Sequence, residues 1–165
     1  MPADQRATAM CWDEVTALTG RIAAEVSADG VPEILIGILR GGMIPAVMLA
    51  HVLGSRQVRA IEVTHTTADG VNAAKTGRPL LRNLASAGDV SGRDVLITDD
   101  VAGTGMTVAY TADLVRHLGA ARVRTAIWVV NEANWPTAGR CTPDQALTYI
   151  GARNQGWVIF PWEQP

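Results

Sequence analysis

Trp12, Val15, Leu18, Ile22 and Val26 recur every three or four residues, which predicts one apolar face of a helix ending near Asp29-Gly30. Ile34 to Leu39 is a continuous apolar run rich in branched residues, the pattern of a strand buried on both faces, and Arg40-Gly41-Gly42 breaks it. Pro45 suits the first turn of a helix running through Leu53, where a missing N–H costs little, and Gly54 is placed to end it. Gln57 to Val63 and Val95 to Thr98 read as further strands, Thr107 to Leu118 as a helix stopped by Gly119, and Val123 to Val130 as a strand. Thr64 to about Val90 shows little periodicity and is expected to be a mobile lid loop with room for a short hairpin. Asn131 to Pro165 is an aromatic, proline-rich tail.

This order predicts an α/β fold, an open, mostly parallel twisted sheet flanked by helices. One domain is expected over residues 1–165, with a core at about 12–130, the lid at about 64–90 and a small C-terminal hood at about 131–165. A chain of 165 residues, 48% hydrophobic, can bury a core without disulfides or a structural metal. Fourteen basic against sixteen acidic residues give a net charge of -2, so no overall positive field favours nucleic acid or an anionic membrane. Cys11 and Cys141 form neither a zinc spacing nor a disulfide framework, the start lacks the pattern of a secretion signal, and no apolar run approaches the ~18 residues of a membrane span. A soluble cytoplasmic protein without a membrane partner is expected.

In parallel sheets ligands bind at the carboxyl ends of the strands, so the transitions at Leu39-Arg40-Gly41-Gly42, Asp99 to Thr107 and Val130-Asn131-Glu132 are candidate sites. The second is the richest. Gly103 and Gly105 let the backbone bend toward an anion, Thr104 and Thr107 offer hydroxyls, and a helix N-terminus follows, a combination suited to phosphate. Asp99 and Asp100 would repel one another unless a metal, a cation or a polyol uses them. No Gly-Lys pair exists for a Walker A loop. Val108 and the position of the acids exclude the dinucleotide fingerprint.

Residues 95–107, Val-Leu-Ile-Thr-Asp-Asp-Val-Ala-Gly-Thr-Gly-Met-Thr, resemble the phosphoribosyl-diphosphate (PRPP) signature of type I phosphoribosyltransferases. Residues 36–46 are similar to the family's pyrophosphate loop, and residues 157–163 resemble the hood of its xanthine-guanine subgroup. The resemblance implies transfer of a 5-phosphoribosyl group from PRPP to a heterocyclic nitrogen base, with pyrophosphate released and C1 inverted. By position it gives the 5-phosphate to Ala102, Gly103, Thr104, Gly105, Met106 and Thr107, and the ribose and reaction centre to Asp99 and Asp100. Pyrophosphate falls to Leu39, Arg40, Gly41 and Gly42, with a cis peptide at Leu39-Arg40, and Mg²⁺ to Asp99, Asp100 and Glu163. Trp157 would stack on the base or simply fill core, and the Val158 backbone would read the base edge. Lys75, Arg78 and Arg82 would close the lid against water or remain solvated cations. A homo-oligomer, dimer or tetramer, is the family expectation.

Two positions depart from the purine-using pattern: Gly103 stands where an aspartate is usual, and Asn131-Glu132 where a lysine contacts the 6-oxo group. Asn131 can donate and accept and Glu132 can accept from an amino group, so a 6-amino or modified base stands beside guanine and xanthine. The alternative function is a PRPP-sensing regulator of the same fold that binds nucleic acid or a partner protein, through a basic face at Arg116, Arg122 and Arg124.

Overall fold

The computed structural model describes residues 7–66, 74–137 and 141–163. Strand β1 (Thr8–Ala9) precedes helix α1 (Trp12–Ala28), strand β2 (Ile34–Leu39), helix α2 (Met43–Leu53) and strands β3 (Val58–Thr66) and β4 (Lys75–Leu81). Strand β5 (Asp94–Ala102), helix α3 (Met106–His117), strand β6 (Arg122–Asn131), the one-turn α4 (Pro143–Ala146) and strands β7 (Tyr149–Asn154) and β8 (Val158–Ile159) follow. Short 3₁₀ turns cover Leu84–Ala87, Glu132–Asn134 and Pro161–Glu163.

The central sheet has the order β4-β3-β2-β5-β6-β7, all parallel except the β3–β4 pair. Two cores flank it. Ile36, Ile38, Ile97 and Ile127 pack with Val108, Ala112 and Val115 of α3 on one side. Leu35, Leu96, Trp128 and Val129 pack with Val15, Ile22 and Val26 of α1 and Leu49 of α2 on the other. Strands that supply both cores are apolar where both faces are covered, which is why β2 and residues 126–130 of β6 are continuous apolar runs. The buried Trp128 indole donates to Thr19 Oγ1 at 3.1 Å, so its one polar atom is satisfied. Cys11 N–H donates to the Glu14 carboxylate at 2.8 Å at the start of α1, and Gly54, at φ 69°, ends α2.

Several expectations change. Trp12 is 51% exposed, because it lies in the first turn of α1 beyond the core, with its ring 5.8 Å from that of Trp162. β3 and β5 run three and four residues past their predicted ends. The stretch expected to be an irregular lid holds β4, antiparallel to β3, and a turn whose Ala87 is buried, with Val90 buried beyond it. Gly77 and Pro79 hid this strand, but an edge position tolerates both. The sheet also continues past residue 130: β7, from the predicted hood, pairs with β6.

Arg116, Arg122 and Arg124 do not form a basic face. Arg124 is 2% exposed and held by Asp94 at 2.8 Å, with Arg122 beside the same carboxylate at 3.5 Å and Arg116 paired to Asp113 at 2.8 Å. No helix among the described residues is long and apolar enough to cross a membrane.

Candidate active site

The parallel order brings the carboxyl ends of β2, β5 and β6 to one edge of the sheet. A cleft of about 470 Å³ lies there, lined by Arg40, Gly41, Ile44, Asp100, Trp162 and Glu163. Its floor is a tight turn after β2, in which the Leu39-Arg40 peptide is cis, Gly42 N–H donates to Ile38 O at 2.9 Å and Met43 N–H to Arg40 O at 3.2 Å.

Glycine is required in this turn by proximity. A Cβ on Gly41 would lie 1.8 Å from Asp100 Oδ2, and one on Gly42 would lie 2.5 Å from Thr98 O. The missing side chains therefore let the β2 turn and the acid-bearing end of β5 touch. Thr98 Oγ1 donates to Gly42 O at 3.0 Å and fixes the same contact.

Asp99 Oδ1 accepts from Asp100 N–H at 3.0 Å and Asp100 Oδ1 from Val101 N–H at 2.8 Å. Burial, then the neighbouring Asp100 charge, holds the Asp99 carboxyl well above the usual carboxylate range. Burial also raises Asp100, and the Glu163 charge adds to the effect. Charge is thus concentrated where a cation or a hydrogen-bond donor would relieve it.

Ala102 is buried, and residues 103–107 are partly exposed on the way into α3, whose N-terminal end carries partial positive charge. Gly105 has φ 72°, a conformation that favours glycine, and the Trp135 ring packs on it so closely that a Cβ would lie 2.6 Å from Cη2. The Trp135 indole donates to Cys141 O at 3.0 Å, so a segment some thirty residues further along the chain clamps the loop at Gly105.

The base-side expectations fare differently from one another. Thr8 N–H donates to Trp157 O at 2.8 Å and Met10 N–H to Ile159 O at 2.9 Å; by strand alternation the Val158 N–H and C=O point away from β1. Trp157 is partly buried and makes no ring–ring contact among the described residues. Trp162, not singled out from the sequence, lines the cleft, with its ring stacked on Phe160 at 4.6 Å.

Asn131 is 4% exposed, and its Oδ1 accepts from Ala133 N–H at 3.2 Å, capping the 3₁₀ turn. One oxygen lone pair of the carboxamide is thus used within the turn, and its second lone pair and its NH₂ make no other hydrogen bond among the described residues. Glu132 accepts at one oxygen from Arg153 at 3.0 Å and at the other from Gln155 at 2.6 Å, which ties the 3₁₀ turn to β7 and the residue beyond it.

Glu163 Oε2 accepts from Phe160 N–H at 2.8 Å. The structure does not gather Asp99, Asp100 and Glu163 into one ligand set: no group of three or more His, Cys, Asp or Glu residues able to hold a metal occurs among the described residues. Two carboxylates at an open cleft fit Mg²⁺, which commonly takes one or two protein carboxylates and completes its shell with water and substrate oxygens. Lys75 starts β4 with its side chain outside the described residues, Arg78 is exposed on β4, and Arg82 sits 3.9 Å from Glu62.

The phosphoribosyl transferase domain matches residues 11–162, and the chain belongs to that family. Its relatives include the xanthine-guanine phosphoribosyltransferase of Gluconobacter oxydans, 27% identical over 153 residues covering 92% of this chain and 82% of the relative. The xanthine-guanine enzyme of Roseobacter denitrificans is 28% identical over 167 residues, with the same coverage of 92% and 82%. The crystal structure of a purine phosphoribosyltransferase from Pyrococcus horikoshii superposes with a TM-score of 0.76 at 28% identity, covering 96% of this chain and 95% of that one. The protein is accordingly an enzyme that moves the 5-phosphoribosyl group of PRPP to a nitrogen base, and the regulatory alternative gains no support.

Proposed function

We propose that the acceptor is a 6-oxopurine, that Mg²⁺ accompanies PRPP, and that transfer takes place in the cytoplasm. The observation that carries the base assignment is the match over 92% of this chain to xanthine-guanine phosphoribosyltransferases, whose named bases are both 6-oxopurines, and the Asn131 NH₂ is a donor that a 6-oxo group can accept from. The Val158 N–H and C=O face the same need from the hood, reading the opposite edge of the ring.

In this reading the residue 102–107 loop holds the 5-phosphate, Asp99 and Asp100 hold the ribose hydroxyls and the metal, and Arg40 with the Gly41-Gly42 turn holds pyrophosphate. Bound Mg²⁺ would stabilise the charge that grows on the leaving pyrophosphate. The chain itself supplies orientation: the ribose is gripped at both ends, so C1 is presented to the base on the face opposite the leaving group. Lys75 and Arg78 of the β3–β4 hairpin are assigned to excluding water, since hydrolysis competes with transfer. Exposed Val47 and Val52 on α2 support self-association.

The test is nucleotide formation from PRPP and Mg²⁺ with guanine, xanthine, hypoxanthine, adenine and pyrimidines, read by mass. Products from the 6-oxopurines alone, abolished by Asp99→Asn/Asp100→Asn, are expected. A preference for adenine or a pyrimidine overturns the base assignment, and failure to bind PRPP overturns the whole reading. Light scattering on the eluted protein checks the oligomer.

A further inference from the structure

The turn after β2 folds back onto its own strand, and a glycine and a threonine on neighbouring strands receive it. Gly37 of β2 and Thr98 of β5 face each other as the last partners of the β2–β5 ladder. A Cβ built on Gly37 would lie 2.9 Å from Gly42 O and 2.7 Å from Met43 Sδ, so the carbonyl occupies space that only a missing side chain leaves. Beside it the Thr98 hydroxyl donates to Gly42 O at 3.0 Å, and Ala46 N–H donates to the same oxygen at 3.2 Å from the first turn of α2. Gly42 N–H is taken by Ile38 O at 2.9 Å and Met43 N–H by Arg40 O at 3.2 Å. Of these three successive amides, that of Gly41 alone makes no hydrogen bond among the described residues, and Gly41 lines the cleft.

Nothing in the strand itself asks for that hydroxyl. Thr98 is fully buried at the end of the run Val95-Leu96-Ile97, and burying a hydroxyl carries a desolvation cost that an apolar β-branched residue of similar shape avoids. Two other buried threonines, Thr19 and Thr111, donate to carbonyls four residues back in their own helices, whereas Thr98 reaches a carbonyl 56 residues away in the chain. We propose that Thr98 is a positioning residue for the diphosphate end of PRPP: its hydroxyl and the space over Gly37 hold the Gly42 carbonyl toward the sheet, which keeps the Gly41 amide open to the cleft. This rests on the reading above that the turn takes pyrophosphate. A donor fixed before the anion arrives binds it without the entropy loss of ordering the turn. Being wholly buried, Thr98 acts through the turn and touches no substrate.

The experiment titrates PRPP and ribose 5-phosphate, which has the same ribose and 5-phosphate but no diphosphate, into the native protein, Thr98→Val, Thr98→Ala and Thr98→Ser, all with Mg²⁺. Thr98→Val keeps the β-branched shape and removes the donor. It should weaken PRPP by about three- to tenfold, the range for one neutral hydrogen bond, and leave ribose 5-phosphate within about twofold. Thr98→Ala, which cannot overpack the strand, should show the same contrast. Thr98→Ser, which keeps the hydroxyl on a smaller side chain, should hold PRPP to within about twofold of native. Equal weakening of both ligands, unchanged PRPP binding in Thr98→Val and Thr98→Ala, or a loss in Thr98→Ser as large as in Thr98→Ala overturns the inference and leaves Thr98 a residue of the sheet. Arg40→Ala separates the two levels: it should weaken PRPP and spare ribose 5-phosphate. If it leaves PRPP binding unchanged, the pyrophosphate reading itself falls, and the inference with it.

Discussion

The side of the cleft assigned above to phosphate comes from two short unbroken segments, residues 39–42 and 99–107, each joining a buried strand to a helix. The base side gathers the Glu132–Asn134 turn, β8 and Trp162, and borrows its order from β1, β7 and Trp135. On the first side β5 itself carries the two acids, while Gly41 and Gly105 are fixed by Asp100 and Trp135 from other segments. On the second, each group is placed by a contact with something distant.

Breaking the phosphate side should have the largest effect. Asp99→Asn/Asp100→Asn is expected to lower kcat/KM by about a thousandfold or more, as loss of charge stabilisation at a reacting centre does. The same change should remove the rise in Tm on adding PRPP with Mg²⁺.

Glycine substitutions sharpen the contrast. Gly105→Ala meets both a positive φ and the Trp135 ring, and should cost about 2 kcal/mol, a fall of roughly 6 °C in thermal melts. Gly103→Ala, two residues earlier, makes only ordinary contact with Asn134 and should stay within about 0.5 kcal/mol, so equal losses would show that the clamp does not set the loop.

An effect of the opposite sign is expected at the paired acids. Asp99 and Asp100 hold protons more tightly folded than unfolded, because burial disfavours their charges. Between the ordinary carboxylate range and their raised values the native state binds more protons, so stability falls there as pH rises. Asp99→Asn alone should therefore raise the Tm of the ligand-free protein at pH 7 to 8 by roughly 3 °C, on the order of 1 kcal/mol, with the gain vanishing toward pH 3. A lower Tm at pH 7 to 8 would mean the acids are satisfied without ligand.

Legibility followed the same division. Ile34–Leu39, Met43–Leu53 and Met106–His117 carried their periodicity and stop signals openly, and the residue 95–107 segment declared its chemistry in order. β4 and β7 did not. Lys-Thr-Gly-Arg-Pro-Leu-Leu and Tyr-Ile-Gly-Ala-Arg-Asn are short, half-polar edge strands whose glycines interrupt any pattern. Gly151 in β7 owes its identity to Trp128 O, which would lie 2.5 Å from a Cβ, and nothing nearby in sequence announces that. Arg124 looked like surface charge until Asp94, thirty residues away in sequence, proved to hold it inside.

Sequence by itself determined the alternation of strands and helices, the two buried runs at the centre of the sheet, and a glycine- and threonine-rich turn that follows paired acids. These depend on periodicity, glycine placement and helix ends, all properties of neighbouring residues. Only the tertiary structure decided that Gly41 rests against Asp100, that Asn131 caps its own turn, that Glu132 pairs with Arg153 and Gln155, and that Asn134 stands beside Gly103. Those outcomes are contacts between segments far apart in the chain, fixed by how the sheet edge closes and by which polar atoms find partners there.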